Sequence, residues 1–272
     1  MKHNIAFFGT PNICIPVLNA LRDADYLPSL IITNPDRPFG RKQSELVPPP
    51  AKVWALEHNI KVLQPEKIDE SFYEEMKKHS WDIFIVIAYG HIMPESLIAL
   101  PKHGTVNIHY SLLPRWRGAT PIEAVILAGD AETGITIQSM QYELDAGPIL
   151  AQESIPLTGH EYATDLYNHL GEKGAELLIQ ILPSIFDGTI AQREQDITKI
   201  THCHKTQKSD GELLKTDTDE IKWRKYRAYY GWPDVFFFDA QGKRVKVTEA
   251  DFINETFIIK KVIREGESEK MY

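Results

Sequence analysis

Apolar residues follow two rhythms along this chain, and the change between them divides it. Residues 4–9 (NIAFFG) form a short apolar run closed by glycine, the pattern of a buried strand. Ile13, Val17, Leu18 and Leu21 then recur at helical spacing across residues 11–23. Strands are expected at 30–33, at 82–88 (DIFIVIA, the most apolar run in the chain) and at 105–109, with helices at 50–58 and 70–79. Strand and helix in repeated alternation predict an α/β fold, a Rossmann-like, mostly parallel sheet with helices on both faces. In such sheets ligands bind beyond the C-terminal strand ends. Those ends here carry Gly9-Thr10-Pro11, Tyr89-Gly90 and the polar pair Asn107 and His109.

The later part reads differently. Residues 134–141 and 148–155 look like strands, and 162–185 like one or two helices stopped by Asp187-Gly188. Residues 189–218 are polar and hold no sustained apolar period. A helix at 219–230, capped by Asp217 or Thr218, ends at Gly231-Trp232-Pro233. Short strands are then expected at 235–238, 244–248 and 257–262, a small β-rich domain. The expected organisation is a large domain over 1–188, a linker over 189–205 and a C-terminal domain over 206–272.

Composition narrows the class. The chain has 272 residues, 43% hydrophobic and 25% charged, the profile of a globular protein with a real core. No run approaches the roughly 20 apolar residues of a membrane span. The N-terminus lacks a signal-peptide pattern. The two cysteines, Cys14 and Cys203, are too far apart in sequence to suggest a metal pair or a disulfide framework. A cytoplasmic location, no membrane partner and a monomer are the expectations. The net charge of −8 excludes nucleic-acid binding by bulk charge. From Thr206 onward, however, 13 Lys+Arg balance 13 Asp+Glu, so the whole excess lies on residues 1–205. A nucleic-acid partner would have to be held by local basic clusters or by the less acidic C-terminal piece.

The chemistry concentrates in NIHYSLLPRWRGATPI at 107–122. Asn107 and His109 lie two apart on a predicted strand, so both side chains share one face. An amide and an imidazole aimed together can donate to a developing oxyanion. They would serve equally as a polar pair closing a sheet edge. Asp145, in LDAGP, sits on a tight loop, where aspartate is commonly a turn former. Arg115, Trp116 and Arg117 suit either a surface anchor or the edge of a ligand site. His202, Cys203 and His204 are adjacent and do not converge easily on one ion, so no metal is expected.

Several pieces together resemble the 10-formyltetrahydrofolate-dependent formyltransferases. They are GTP at 9–11, AYG at 88–90, the 107–122 stretch, GDAETGITI at 129–137 and LDAGPIL at 144–150. The Asn-x-His pair with SLLP and a later LD-x-G carries the likeness over most of residues 1–190. The resemblance implies that Asn107, His109 and Asp145 form the catalytic trio. Asn107 and His109 would stabilise the oxyanion formed when an amine attacks the formyl carbon, and Asp145 would support His109 and help move protons. It also implies a folate slot built from Ile87, Ala88, Tyr89, Gly90, Ser111, Leu112, Leu113, Pro114 and Tyr142. The donor is then 10-formyltetrahydrofolate, with no metal.

The accepting amine is a separate question. Family members formylate methionyl initiator tRNA, nucleotide-linked amino sugars or glycinamide ribonucleotide. Residues 34–65 contain Asp36-Arg37-Pro38 and Gly40-Arg41-Lys42. This stretch is similar to the basic loop with which the tRNA-acting members enter the acceptor arm. Arg37, Arg41 and Lys42 would meet phosphates there. Lys205 and Lys208 in HCHKTQK are further expected tRNA contacts. Residues 225–238 (KYRAYYGWPDVFFF) resemble the family's lead into an OB-like barrel, here shortened. Such barrels commonly bind nucleic acid. Initiator methionyl-tRNA is thus the expected acceptor; an amino sugar nucleotide, or a non-catalytic RNA- or folate-binding role, are the alternatives.

Overall fold

The computed structural model describes residues 3–39 and 45–272. In chain order the elements are β1 (Ile5–Gly9), α1 (Cys14–Asp23), β2 (Leu30–Ile32), β3 (Arg37–Phe39), β4 (Glu45–Val47), α2 (Pro50–Glu57), β5 (Lys61–Leu63), α3 (Glu70–Lys77), β6 (Ile83–Ile87), α4 (Glu95–Ile98), β7 (Thr105–His109), β8 (Arg117–Gly118), α5 (Pro121–Ala128), β9 (Glu132–Ser139), β10 (Ile149–Pro156), α6 (Ala163–Asp187), β11 (His202–Cys203), α7 (Asp219–Ala228), β12 (Phe236–Phe238), β13 (Arg244–Ile253), β14 (Thr256–Arg264) and β15 (Lys270–Met271). They divide into two compact units. The first holds residues 1–117, 134–154 and 168–201; the second holds 118–133, 155–167 and 202–272.

The first unit carries the central sheet, in the order β10-β9-β7-β6-β1-β2-β5. β7, β6, β1, β2 and β5 run parallel, as the alternation of strand and helix predicts. All five residues of β1 and of β6 are buried, which is why both strands read as continuous apolar runs. One side of the sheet is filled by Phe8, Phe84, Trp81, Met76 and Leu97 among others. β9 departs from the parallel rule by pairing antiparallel with β7. Its register sets Asn107 opposite Gln138 and His109 opposite Thr136. α6 is one continuous helix of 25 residues. A Cβ on its Gly174 would lie 3.1 Å from Ile108 Cγ2, so the missing side chain lets the helix settle closely on β7.

Most expected elements appear within two or three residues of their expected ends. Others lie outside the apolar patterns. β3, β4 and β5 are three-residue strands, β4 exposed throughout and β5 with no fully buried residue, and α4 is a single turn. α5 follows Thr120 with proline at its first position, a recognisable start. Its apolar residues are almost unbroken, so no helical stripe stands out. In the polar stretch after 188 the chain makes short 3-10 turns at Ile197–Lys199 and Lys208–Gly211.

The second unit contains an antiparallel sheet in the order β12-β13-β14-β15, packed with α7. Thr218 caps α7 by accepting from the Ile221 N–H. β13 and β14 are joined by Asn254 and Glu255 alone, at φ 48° and 62°. Two left-handed residues make the tight turn whose twist matches a hairpin. That turn lets a short segment carry two long strands, which run beyond their expected ends. Phe84→Ala is expected to lower the free energy of unfolding by about 3–5 kcal/mol, read from urea denaturation. A cost below about 1 kcal/mol would mean that the Phe84 ring is not close-packed in the core.

Candidate active site

β6 and β7 are parallel neighbours, so their C-terminal ends open side by side at the edge where ligands bind. β7 delivers Asn107 and His109 on one face, as strand alternation requires. The third member arrives on the turn between β9 and β10. Asn107 Nδ2 lies 3.4 Å from Asp145 Oδ1, and His109 Nδ1 lies 3.6 Å from the same oxygen. The side chains of His109 and Asp145 are 6% and 7% exposed. The structure therefore brings Asn107, His109 and Asp145 together.

Gln138 joins them. Because it pairs with Asn107 across the sheet, it shares the face. Its Nε2 donates to Asp145 Oδ1 at 2.9 Å, closer than either Asn107 or His109 comes to that oxygen. The carboxylate also settles which way the amide points, since the reverse orientation would oppose two oxygens. Nothing in the sequence pattern singles out Gln138 except the polar alternation Thr136-x-Gln138 within an apolar strand.

His109 is held from the other side too. Its Nε2 sits 2.8 Å from the carbonyl oxygen of Trp116, a residue at φ 62°. Both ring nitrogens thus face oxygens, which fixes the ring plane. The SLLPRWRG loop that supplies this carbonyl is pinned inside. Ser111 is fully buried, and its Oγ donates to the Arg115 carbonyl at 2.6 Å. Thr136 Oγ1 donates to the Ser111 carbonyl at 2.7 Å and accepts from the Leu113 N–H at 3.1 Å. Gln152 Nε2 donates to the Leu113 carbonyl at 3.0 Å.

The expected folate slot divides into side chains and backbone. Ser111 and Leu113 are buried as loop supports, while Leu112 and Pro114 are half-buried. Ile87 is fully buried in β6. Tyr89 is 2% exposed, and its ring belongs to the core beside Phe8, so only its backbone faces the crevice. Its carbonyl accepts from Asn34 Nδ2 at 3.2 Å. Burial pushes the Tyr89 hydroxyl well above the ordinary tyrosine range, and that hydroxyl has no hydrogen-bond partner among the described residues. Ala88 and Gly90 are exposed, with left-handed φ of 46° and 80°. Tyr142 is 62% exposed and lines a cavity of about 410 Å³ with Glu95, Ile98, Gln141 and Glu143. The apolar Leu144 beside Asp145 is 68% exposed.

Of the expected tRNA contacts, Arg37 lies exposed on β3. Arg41 and Lys42 fall outside the described residues. Asp36, just before Arg37, is bonded by Lys52 Nζ at 2.7 Å and Gln64 Nε2 at 2.7 Å. The Lys52 ammonium first, then the Gln64 amide, hold its carboxyl below the usual range. Lys205 and Lys208 are exposed in the second unit. Of the Arg115-Trp116-Arg117 trio, Arg117 is no surface anchor. It is 4% exposed and donates to Gln195. Among the described residues no group of three or more His, Cys, Asp or Glu is placed to hold a metal ion, and no helix is long and apolar enough to cross a membrane.

Comparison with known proteins shows the family of the chain. The family model described as Formyl transferase matches residues 3–182. The chain is 39% identical over 259 residues to the methionyl-tRNA formyltransferase of Halalkalibacterium halodurans, covering 92% of this chain and 78% of that protein. Among solved structures, a methionyl-tRNA formyltransferase from Clostridium thermocellum superposes with a TM-score of 0.64 at 16% identity, covering 98% of this chain and 100% of that one. A 4-N formyltransferase from Francisella tularensis superposes with a TM-score of 0.70 at 20% identity, covering 90% and 97%.

Tyr89→Phe is expected to leave stability unchanged or raise it by about 1 kcal/mol, because it removes a buried hydroxyl that lacks a partner. The urea midpoint measures this. A loss of more than about 1 kcal/mol would show that the hydroxyl makes a bond that matters.

Proposed function

The chain belongs to the formyl transferase family, and from that premise we propose that it moves the formyl group of 10-formyltetrahydrofolate onto the α-amino group of methionyl initiator tRNA. The observation that carries the chemistry is the convergence of Asn107 Nδ2 and His109 Nδ1 on one oxygen of Asp145. The name of the 39% identical relative supports the acceptor, as does the basic stretch beginning at Arg37.

The amine nitrogen attacks the formyl carbon, and negative charge gathers on the carbonyl oxygen as the new C–N bond forms. Asn107 carries two amide hydrogens. One points to Asp145 and the other serves the developing oxyanion. His109, fixed between Trp116 and Asp145, gives the second electrostatic contact. The attacking amine must lose one proton and the departing nitrogen must gain one, and the His109–Asp145 pair passes it between them. 10-Formyltetrahydrofolate supplies the activated formyl group, so no metal ion and no covalent enzyme intermediate are required.

The residues around the trio suit that donor. The exposed peptide groups of Ala88 and Gly90 offer backbone partners to a heterocycle's polar edge, while Leu144 and Tyr142 offer apolar surface to its faces. Arg37, Arg41, Lys42, Lys205 and Lys208 are the cations for the tRNA backbone. With that substrate the protein is a cytoplasmic enzyme of translation initiation, acting as a monomer.

Formyl transfer from 10-formyltetrahydrofolate is to be compared for methionyl initiator tRNA and an amino sugar nucleotide. Transfer to the tRNA alone is expected, with Asn107→Ala slowing it by about 100- to 1,000-fold. Formylation of the sugar alone would replace the acceptor while keeping the chemistry. Replacing Arg37, Arg41 and Lys42 together by alanine is expected to raise KM for tRNA about tenfold or more and to leave folate affinity unchanged. Parallel loss of both affinities would assign the segment a structural role instead.

A further inference from the structure

Asp145 adopts φ 53°, a left-handed conformation that aspartate tolerates better than most residues and that its surroundings here support. The residue that favours it comes from a distant segment, beyond the stretch that the family model matches. Gln195 is 8% exposed, and its Nε2 donates to two carbonyls of the turn, Asp145 O at 2.8 Å and Gly147 O at 2.8 Å. Its Oε1 accepts from Arg117 Nε at 3.0 Å and Arg117 Nη2 at 2.9 Å. A glutamine side chain can make four such bonds, two donated and two accepted. Gln195 makes all four, and only one orientation of its amide allows them, because a flipped amide would set its oxygen against two carbonyls and its NH₂ against a guanidinium.

The turn leaves little slack. A Cβ at Gly147 would collide with the Ser139 carbonyl oxygen, so the backbone of the turn lies directly against β9. At the other end of the strut, Arg117 follows Trp116, whose carbonyl holds His109 Nε2 at 2.8 Å. Thr201 fastens both residues: its Oγ1 accepts from the Trp116 N–H at 2.9 Å and its carbonyl from the Arg117 N–H at 2.9 Å. One buried strut therefore joins the backbone that carries Asp145 to the backbone that clamps His109.

We infer that Gln195, oriented by Arg117, is a positioning residue for formyl transfer, setting the Asp145 carboxylate and the His109 ring in register. The inference rests on the reading of Asp145 and His109 as reacting groups. Gln195 itself touches neither donor nor acceptor.

Gln195→Glu tests it. The glutamate keeps an oxygen for the buried Arg117, which preserves the most costly interaction to lose, and puts a second oxygen where the turn needs a donor. Gln195→Asn, one methylene shorter, is the companion should the first variant fail to fold; thermal melting decides which is used. Rates are measured with the acceptor that the wild-type enzyme formylates. Gln195→Glu is expected to lower kcat about 10- to 100-fold, as a small misplacement of reacting groups does, with KM for both substrates within about threefold. Combined with Asp145→Asn it is expected to be no slower than Asp145→Asn alone, within about twofold, because both changes act on one group. Unchanged kcat, a rise confined to KM, or losses that multiply in the double variant would overturn the inference. Wild-type turnover by Asp145→Asn alone would instead remove the trio reading beneath it, and is read from that variant separately.

Discussion

A carboxylate withdrawn from water needs donors, and the placing of this one organises the site. Asp145 is too short to reach β7 unless its turn is pressed against the end of the sheet. The antiparallel β9 brings it there and places Gln138 opposite Asn107. The left-handed backbone at Asp145 and the glycine two residues later let the turn close at that distance. The oxygen that results gathers an amide from β7, an amide from β9 and an imidazole edge. None of these elements can shift alone without leaving a buried polar group unmatched.

The same constraint explains how rigid and open parts are distributed. Side chains around Asp145 are fixed by buried bonds: His109 is bonded at Nε2 while its Nδ1 faces the carboxylate, and Ser111 and Thr136 are tied into the loop beside it. Groups left for a ligand are mostly exposed peptide units and apolar surface, as at Ala88, Gly90 and Leu144. Under the proposed function, such a site would fix its chemistry with side chains and meet the folate's heterocycle through exposed peptide groups and apolar surface. Cys14, just past the first strand end, is fully buried, and that burial pushes its thiol up to about 12.

How much of this is legible in the sequence depends on locality. Asn107 and His109 can be read because two residues on one strand share a face whatever the rest of the chain does. The parallel sheet can be read because fully buried strands are apolar throughout. Asp145 is recognisable through its turn and its family likeness. Gln138 escapes because its position depends on the direction in which β9 returns, which no local pattern encodes. Gln195 and Arg117 escape for a stronger reason: a buried arginine and glutamine look like surface residues until the chain brings them together. Short, poorly buried strands such as β4 and β5 leave almost no periodic trace.

Asp36 offers a consequence of another order. Lys52 and Gln64 tie it down just ahead of Arg37, at the root of the segment that leads to β4. The two bonds fix the chain at Asp36 whatever residues follow Phe39 in the sequence. Under the proposed function, substitutions beyond Arg37 would alter acceptor recognition while Asp36 keeps its bonds to Lys52 and Gln64.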